Sequence, residues 1–234
     1  MVLAPLLTIA IGGAQEALEI NFDLIALPQL APGLAFLILA MFFRDLKFKL
    51  NLDADSRTAL QSLKALVLPF ALFTLIFWGM KLFGVKISAN SDLSPLLGYP
   101  LVGMLIGAVG EEAGWRSFLQ PLLENKIKPL YASLITGILW GAWHIGNYQN
   151  GWIFMAGFIV MIISASIILA MMLRRTGFSI YVSSLFHLSI NLGFYIWFKN
   201  TLDEPKTMLI VGATWAVLAI IVVIVTGTSL EKNR

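Results

Sequence analysis

Seven stretches of mainly apolar sequence, each close to the length of a membrane-crossing helix, constrain this chain more than any other feature. A helix needs about 20 mainly apolar residues to cross a hydrocarbon core of roughly 30 Å. The stretches cover residues 24–43, 64–84, about 95–123, 130–146, 152–173, 180–198 and 207–227. Of the 234 residues, 59% are hydrophobic and 12% charged, whereas soluble domains carry about a quarter charged residues. The expected class is an all-α, polytopic transmembrane helical bundle of about seven to eight membrane helices. No second soluble domain or internal repeat is visible, so residues 1–234 read as one integral-membrane domain with a motif-bearing core over 95–198. The opening "MVLAPLLTIAIGGA" is too short to span and lacks the basic residues of a secretory leader, so a partial or re-entrant helix is expected there.

The small formal charge of +3 is spread between the apolar stretches, which gives nucleic acid no patch to bind. Its distribution reports orientation instead, because Lys and Arg concentrate in cytoplasmic loops. Arg44, Lys47, Lys49 and Arg57, then Lys126 and Lys128, then Arg174 and Arg175, then Lys232 and Arg234 mark every second connection. Seven spans with an outside start and a cytoplasmic carboxy terminus satisfy this pattern, and a prokaryotic plasma membrane is the expected location. The chain has no cysteine, which removes disulfides, thiolate metal ligands and a cysteine nucleophile together.

Ionisable residues within apolar stretches are expensive, so they normally face protein or water and have a task. The chain has Glu111, Glu112 and Arg116 in "VGEEAGWRSFL", His144 in "LWGAWHIGNY", and His187 with Asn191 in "SSLFHLSINLGF". At 1.5 Å per residue from the basic loops, Glu111, Glu112 and Arg116 lie roughly 20, 18 and 12 Å deep. His144 lies roughly 22 Å deep, and His187 and Asn191 about 12 and 18 Å. Three helices thus offer polar groups at overlapping depth. Glu112 and Arg116, at i and i+4, share a helix face, while Glu111 points about 100° away. Arginine can therefore hold Glu112 while Glu111 stays free. A carboxylate beside a histidine can draw a proton from water, and His187 with Asn191, also at i and i+4, offers donors for a developing oxyanion. Gly103 with Gly107, and Gly137 with Gly141, form GxxxG patterns expected to serve helix packing.

"EEAGWR", "WGAWH" and "FHLSIN" closely resemble, in order, the EExxxR, FxxxH and HxxxN motifs of the CPBP family, the CAAX proteases and bacteriocin-processing (Abi) enzymes. Trp140 stands where the second motif often has phenylalanine, a departure expected to touch packing or substrate contact more than chemistry. The resemblance implies an intramembrane glutamate endopeptidase similar to type II CAAX prenyl endopeptidases, with a membrane-protein or peptide substrate. It makes Glu111 the general base, His144 its assistant in activating water, His187 and Asn191 the oxyanion stabilisers, and Glu112 with Arg116 the organisers of the site. No cofactor is favoured. Zinc held by Glu111, His144 and His187 is the metal-dependent alternative, although no HExxH spacing is present. A proton-coupled transporter or a non-catalytic immunity protein are the non-proteolytic alternatives. The site is expected in a polar cavity about half-way across the bilayer, opening toward the cytoplasm.

Overall fold

The computed structural model describes residues 2–43, 50–201 and 204–226. Arg44, Lys47 and Lys49 of the first basic connection, and Lys232 and Arg234 of the carboxy terminus, lie outside the described residues. The helices are α1 (Leu3–Ala17), α2 (Ala31–Phe42), α3 (Ser56–Leu82), α4 (Tyr99–Gly114), α5 (Gln120–Glu124), α6 (Pro129–Trp143), α7 (Trp152–Leu173), α8 (Ile180–Gly193) and α9 (Pro205–Thr226). A π-helical turn, Trp115–Leu119, joins α4 to α5, and another, Phe194–Phe198, extends α8. Among the described residues there is no strand, only an isolated parallel bridge between Asn51 and Ser179.

Four helical segments, Ser56–Leu82, Trp152–Leu173, Ile180–Phe198 and Pro205–Thr226, are long and apolar enough to cross a membrane. The α9 helix leaves Val217, Ile220, Ile221, Ile224 and Val225 exposed, an arrangement that suits lipid and not water. The molecule is an all-α integral membrane bundle. α7 packs on α6 and α9, α3 on α8, and α4 on both α2 and α8.

Of the seven expected crossings, 24–43, 95–123 and 130–146 are not among these four segments, and the first departs most from a single helix. Residues 24–43 begin irregularly, make a 3₁₀ turn at Leu27–Leu30, and become α-helical only at Ala31. Pro28 and Pro32 sit near the starts of these two short helices, where a missing N–H is tolerated and a continuous helix through both is not. The buried amide of Gln15 holds the irregular part. It donates to the carbonyls of Ile20 (3.1 Å) and Ile25 (2.6 Å) and accepts from the Leu27 N–H (2.8 Å). The first glycine pair lets this segment lie against α4: a Cβ at Gly103 would strike the Leu24 carbonyl, and one at Gly107 would strike Gln29. Gly103 and Gly107 therefore receive an irregular strap, whereas Gly137 and Gly141 receive Ile163 and Ile159 of α7, as a GxxxG helix pair should.

Two devices fix α8. The Asn51 side chain donates to the carbonyls of Thr176 and Gly177, both at 2.9 Å, and its own carbonyl accepts from the Ile180 N–H at 3.1 Å. Pro69 interrupts α3, and beside it the Ser189 hydroxyl inserts into the helix ladder, accepting from the Phe70 N–H (3.0 Å) and donating to the Leu66 carbonyl (2.6 Å). A polar side chain from a neighbour thus satisfies backbone groups that lipid could not. Ser189 lies between His187 and Asn191 in sequence, so the bond also sets their height against α3.

Candidate active site

α4, α6 and α8 bring their polar residues to one buried layer. Glu111 and Glu112, on α4, and Arg116, in the π turn, are fully buried, and His187 of α8 is 3% exposed. His187 Nδ1 lies 2.9 Å from Glu112 Oε1, and its Nε2 lies 4.0 Å from Glu111 Oε1. The carboxylate accepts, so Nδ1 donates to Glu112 and Nε2 is left facing Glu111. The imidazole is thereby held between the two glutamates.

Glu111 is not the free carboxylate that spacing suggests. Its Oε2 accepts from the indole N–H of Trp140 at 2.7 Å, and its Oε1 accepts from the side-chain amide of Gln29 at 2.9 Å. Neither partner stands among the expected site residues. Arg116 approaches Glu112 Oε2 at 3.7 Å without a hydrogen bond, and its guanidinium carbon lies 4.7 Å from the centre of the Trp140 ring. The main hydrogen-bond partner of Glu112 is thus His187 from another helix. Trp140 packs edge-on against His187 with ring centres 5.2 Å apart. The tryptophan in place of phenylalanine therefore reaches Glu111: a phenylalanine ring could pack there but could not donate to the carboxylate.

His144 sits just past the end of α6, half-buried. Its Nδ1 lies 2.8 Å from the Trp140 carbonyl; since a carbonyl only accepts, Nδ1 carries the hydrogen and Nε2 remains for another partner. The Phe158 and Trp143 rings flank it at 4.9 and 5.1 Å. Asn191 is half-buried one turn beyond His187 and lines a cavity of about 300 Å³ with Gln29, Met104, Phe194, Tyr195 and Lys199. Gln29 thus joins the cavity to Glu111.

The cavity is lined by Pro100, Gly103 and Met104 in the first turns of α4 and by Asn191, Phe194 and Tyr195 at the far end of α8. The strap at Phe22–Gln29 crosses the amino-terminal half of α4 and leaves polar room there. The α2–α4 interface also holds an apolar pocket, lined by Pro32, Phe36, Trp115 and Phe118 among others. Phe36 and Phe118 are in ring contact there, with centres 4.0 Å apart.

Among the described residues no three His, Asp or Glu side chains group as metal ligands.

Sequence reasoning missed Gln29 and Trp140. Gln29 carried a signal, being the one polar side chain in the apolar stretch 24–43. Trp140 carried a weaker one, four residues before His144 and so on the same helix face.

Comparison with known proteins fits this geometry. The family model described as type II CAAX prenyl endopeptidase Rce1-like matches residues 93–193, which include every expected site residue. Lysostaphin resistance protein A of Staphylococcus haemolyticus (strain JCSC1435) is 25% identical over 224 residues, covering 93% of this chain and 61% of the relative. Lysostaphin resistance protein A of Staphylococcus aureus (strain Newman) is also 25% identical over 224 residues, covering 92% of this chain and 52% of the relative. The chain therefore spans only about half to three-fifths of the length of these relatives. The segment that carries the buried polar layer, residues 93–193, is thus similar to the Rce1-like type II CAAX prenyl endopeptidases.

Proposed function

We propose that the chain is an intramembrane endopeptidase that hydrolyses a peptide bond in a membrane-associated or peptide substrate, using water activated by Glu111. The observation that carries this reading is the convergence of α4, α6 and α8 on one buried carboxylate, with the cavity that holds Asn191 touching it through Gln29. A carboxylate has about four lone-pair sites, so Glu111 can accept from Gln29, Trp140 and a water molecule together. It takes the water's proton as the oxygen attacks the carbonyl carbon. His144, with Nδ1 fixed on the Trp140 carbonyl, offers Nε2 to the same water. His187, when Nε2 carries a proton, donates with the Asn191 amide to the oxyanion, and Glu112 keeps the imidazole oriented. The proton on Glu111 then passes to the leaving amine.

No metal enters this mechanism. The substrate lies in the bilayer or reaches the cavity as a peptide, and no nucleic acid takes part. Residues 1–234 act as one membrane unit in a prokaryotic plasma membrane, with the carboxy terminus on the cytoplasmic side. A second reading, a non-catalytic scaffold or immunity role, has one observation in its favour: both Glu111 oxygens are already satisfied within the protein. The relatives' name, lysostaphin resistance protein A, does not by itself specify a proteolytic activity.

Cleavage of a peptide panel by purified protein in lipid nanodiscs separates the readings. The mechanism requires cleavage by the wild type and its near-complete loss in Glu111→Ala, because general-base assistance alone is worth about 10²–10⁴-fold. Equal turnover by a folded Glu111→Ala variant would sink the mechanism. Stoichiometric metal in the active wild type would overturn the metal-free chemistry.

A further inference from the structure

Beneath the catalytic layer lies a second set of buried polar groups that the mechanism does not use. Moving toward the Asn125–Pro129 end, Arg116 follows Glu112 by four residues, Thr136 precedes Trp140 by four, and Ser184 precedes His187 by three. Each step is about 4.5–6 Å along its helix. All three side chains are at least 97% buried, and neither the Arg116 nitrogens nor the Thr136 and Ser184 hydroxyls have a hydrogen-bond partner among the described residues. One turn further on, Gln120 is fully buried, with its carbonyl oxygen equally unpartnered and its amide donating to Glu124 at 2.8 Å. Glu124 is half-buried beside the exposed Asn125 and Lys126. Glu112, Arg116, Gln120 and Glu124 thus recur every fourth residue from the site to the surface. The apolar pocket is lined instead by Trp115, Phe118 and Leu122, and by none of these four polar residues.

A buried guanidinium, two hydroxyls and an amide oxygen without partners, drawn from α5, α6, α8 and the π turn, are costly unless something bonds them. Buried water makes about three hydrogen bonds to such groups, and the set supplies both donors and acceptors. We propose that this file is a water-entry path, distinct from the peptide cavity, which brings hydrolytic water to Glu111 from the Glu124 end. The supply role rests on the peptidase reading. Each cleavage consumes one water: its oxygen joins the carbonyl carbon, the C–N bond breaks, one hydrogen goes to the amine and the other stays on the new acid. A peptide seated against Gln29 and Asn191 obstructs the cavity side, so replenishment from the opposite end lets turnover continue with the cavity occupied.

The test has two arms. A crystal structure of the full chain that resolves ordered water should show water oxygens within hydrogen-bond distance of Arg116 Nη1 or Nη2, Thr136 Oγ1, Ser184 Oγ and Gln120 Oε1. Direct bonding of these groups to one another, with no water between, would overturn the path. In the second arm, the Thr136→Val/Ser184→Ala variant, with thermal unfolding checked, should lose roughly tenfold in kcat with KM unchanged. An unchanged kcat would overturn the supply role. A wild type that cleaves no peptide would defeat the peptidase reading, and the supply role with it, while the first arm would still decide whether the file is hydrated.

Discussion

The α7–α9 contact and the α4–α6–α8 contact solve the same problem, burial within a membrane bundle, by opposite means. Between α7 and α9 the buried residues include no charge, and the backbones touch through glycine: a Cβ at Gly157 would sit 2.6 Å from the Met208 carbonyl, and one at Gly212 would strike the Gly157 carbonyl. In a lipid solvent such close packing is what holds helices together. Between α4, α6 and α8, two glutamates, a histidine and an arginine are buried together. The two glutamates there are held by specific partners, Glu111 by Trp140 at 2.7 Å and Gln29 at 2.9 Å and Glu112 by His187 at 2.9 Å. The first contact should therefore govern folding, and the second should govern chemistry.

The comparison breaks most visibly at Glu111. Glu111→Gln keeps the shape and lets Trp140 still donate to the side-chain oxygen, but removes the base, so peptide cleavage should fall by about 10²–10⁴-fold. Its thermal unfolding should stay close to that of the wild type. Gly157→Leu should do the reverse, destabilising the fold by about 1–3 kcal/mol or more through overpacking. The fraction that remains folded should cleave at the normal rate per active molecule, read by active-site titration against total protein. Trp140→Phe sharpens the comparison, since it keeps the ring against Arg116 and His187 and deletes one hydrogen bond to a buried carboxylate. Its expected effect is a loss of about 1–3 kcal/mol in transition-state stabilisation, read as kcat/KM, with little change in unfolding temperature. If Trp140→Phe behaves as wild type, the indole bond to Glu111 is packing alone.

The smallest effect lies outside the membrane. Asp55 caps α3 by accepting from the Thr58 N–H at 2.7 Å, and that backbone hydrogen bond, followed by the Thr58 side chain, holds its carboxyl below the usual carboxylate range. A lowered folded value means the contribution is fully present above the unfolded carboxylate range and is lost as pH falls through the folded one. Asp55→Ala should therefore lower the unfolding temperature slightly at neutral pH and leave it unchanged at strongly acid pH.

The main features of the bundle were legible because membrane helices announce themselves by local composition, and the site because ionisable residues stand out against it. Glu111, Glu112, Arg116, His144, His187 and Asn191 could all be picked out residue by residue. Their partners could not. Gln29 lies 82 positions from Glu111, and although Pro28 and Pro32 can break the stretch 24–43, no sequence spacing says that the broken part lies against α4 as a strap. The i,i+4 spacing of Glu112 and Arg116 promised a pair, but the π turn that begins at Trp115 alters the helix register between them. The 3.7 Å approach is longer than the histidine bond from α8. Trp140 was read as a packing change because its sequence position says nothing about where an indole N–H points.

Proteomics of membranes from cells carrying either the wild type or Glu111→Ala tests the central claim most directly, with both proteins present at equal level. The account predicts at least one new protein or peptide terminus that forms with the wild type and is absent with Glu111→Ala. Identical sets of termini in the two membranes, with the wild type folded and abundant, would contradict it.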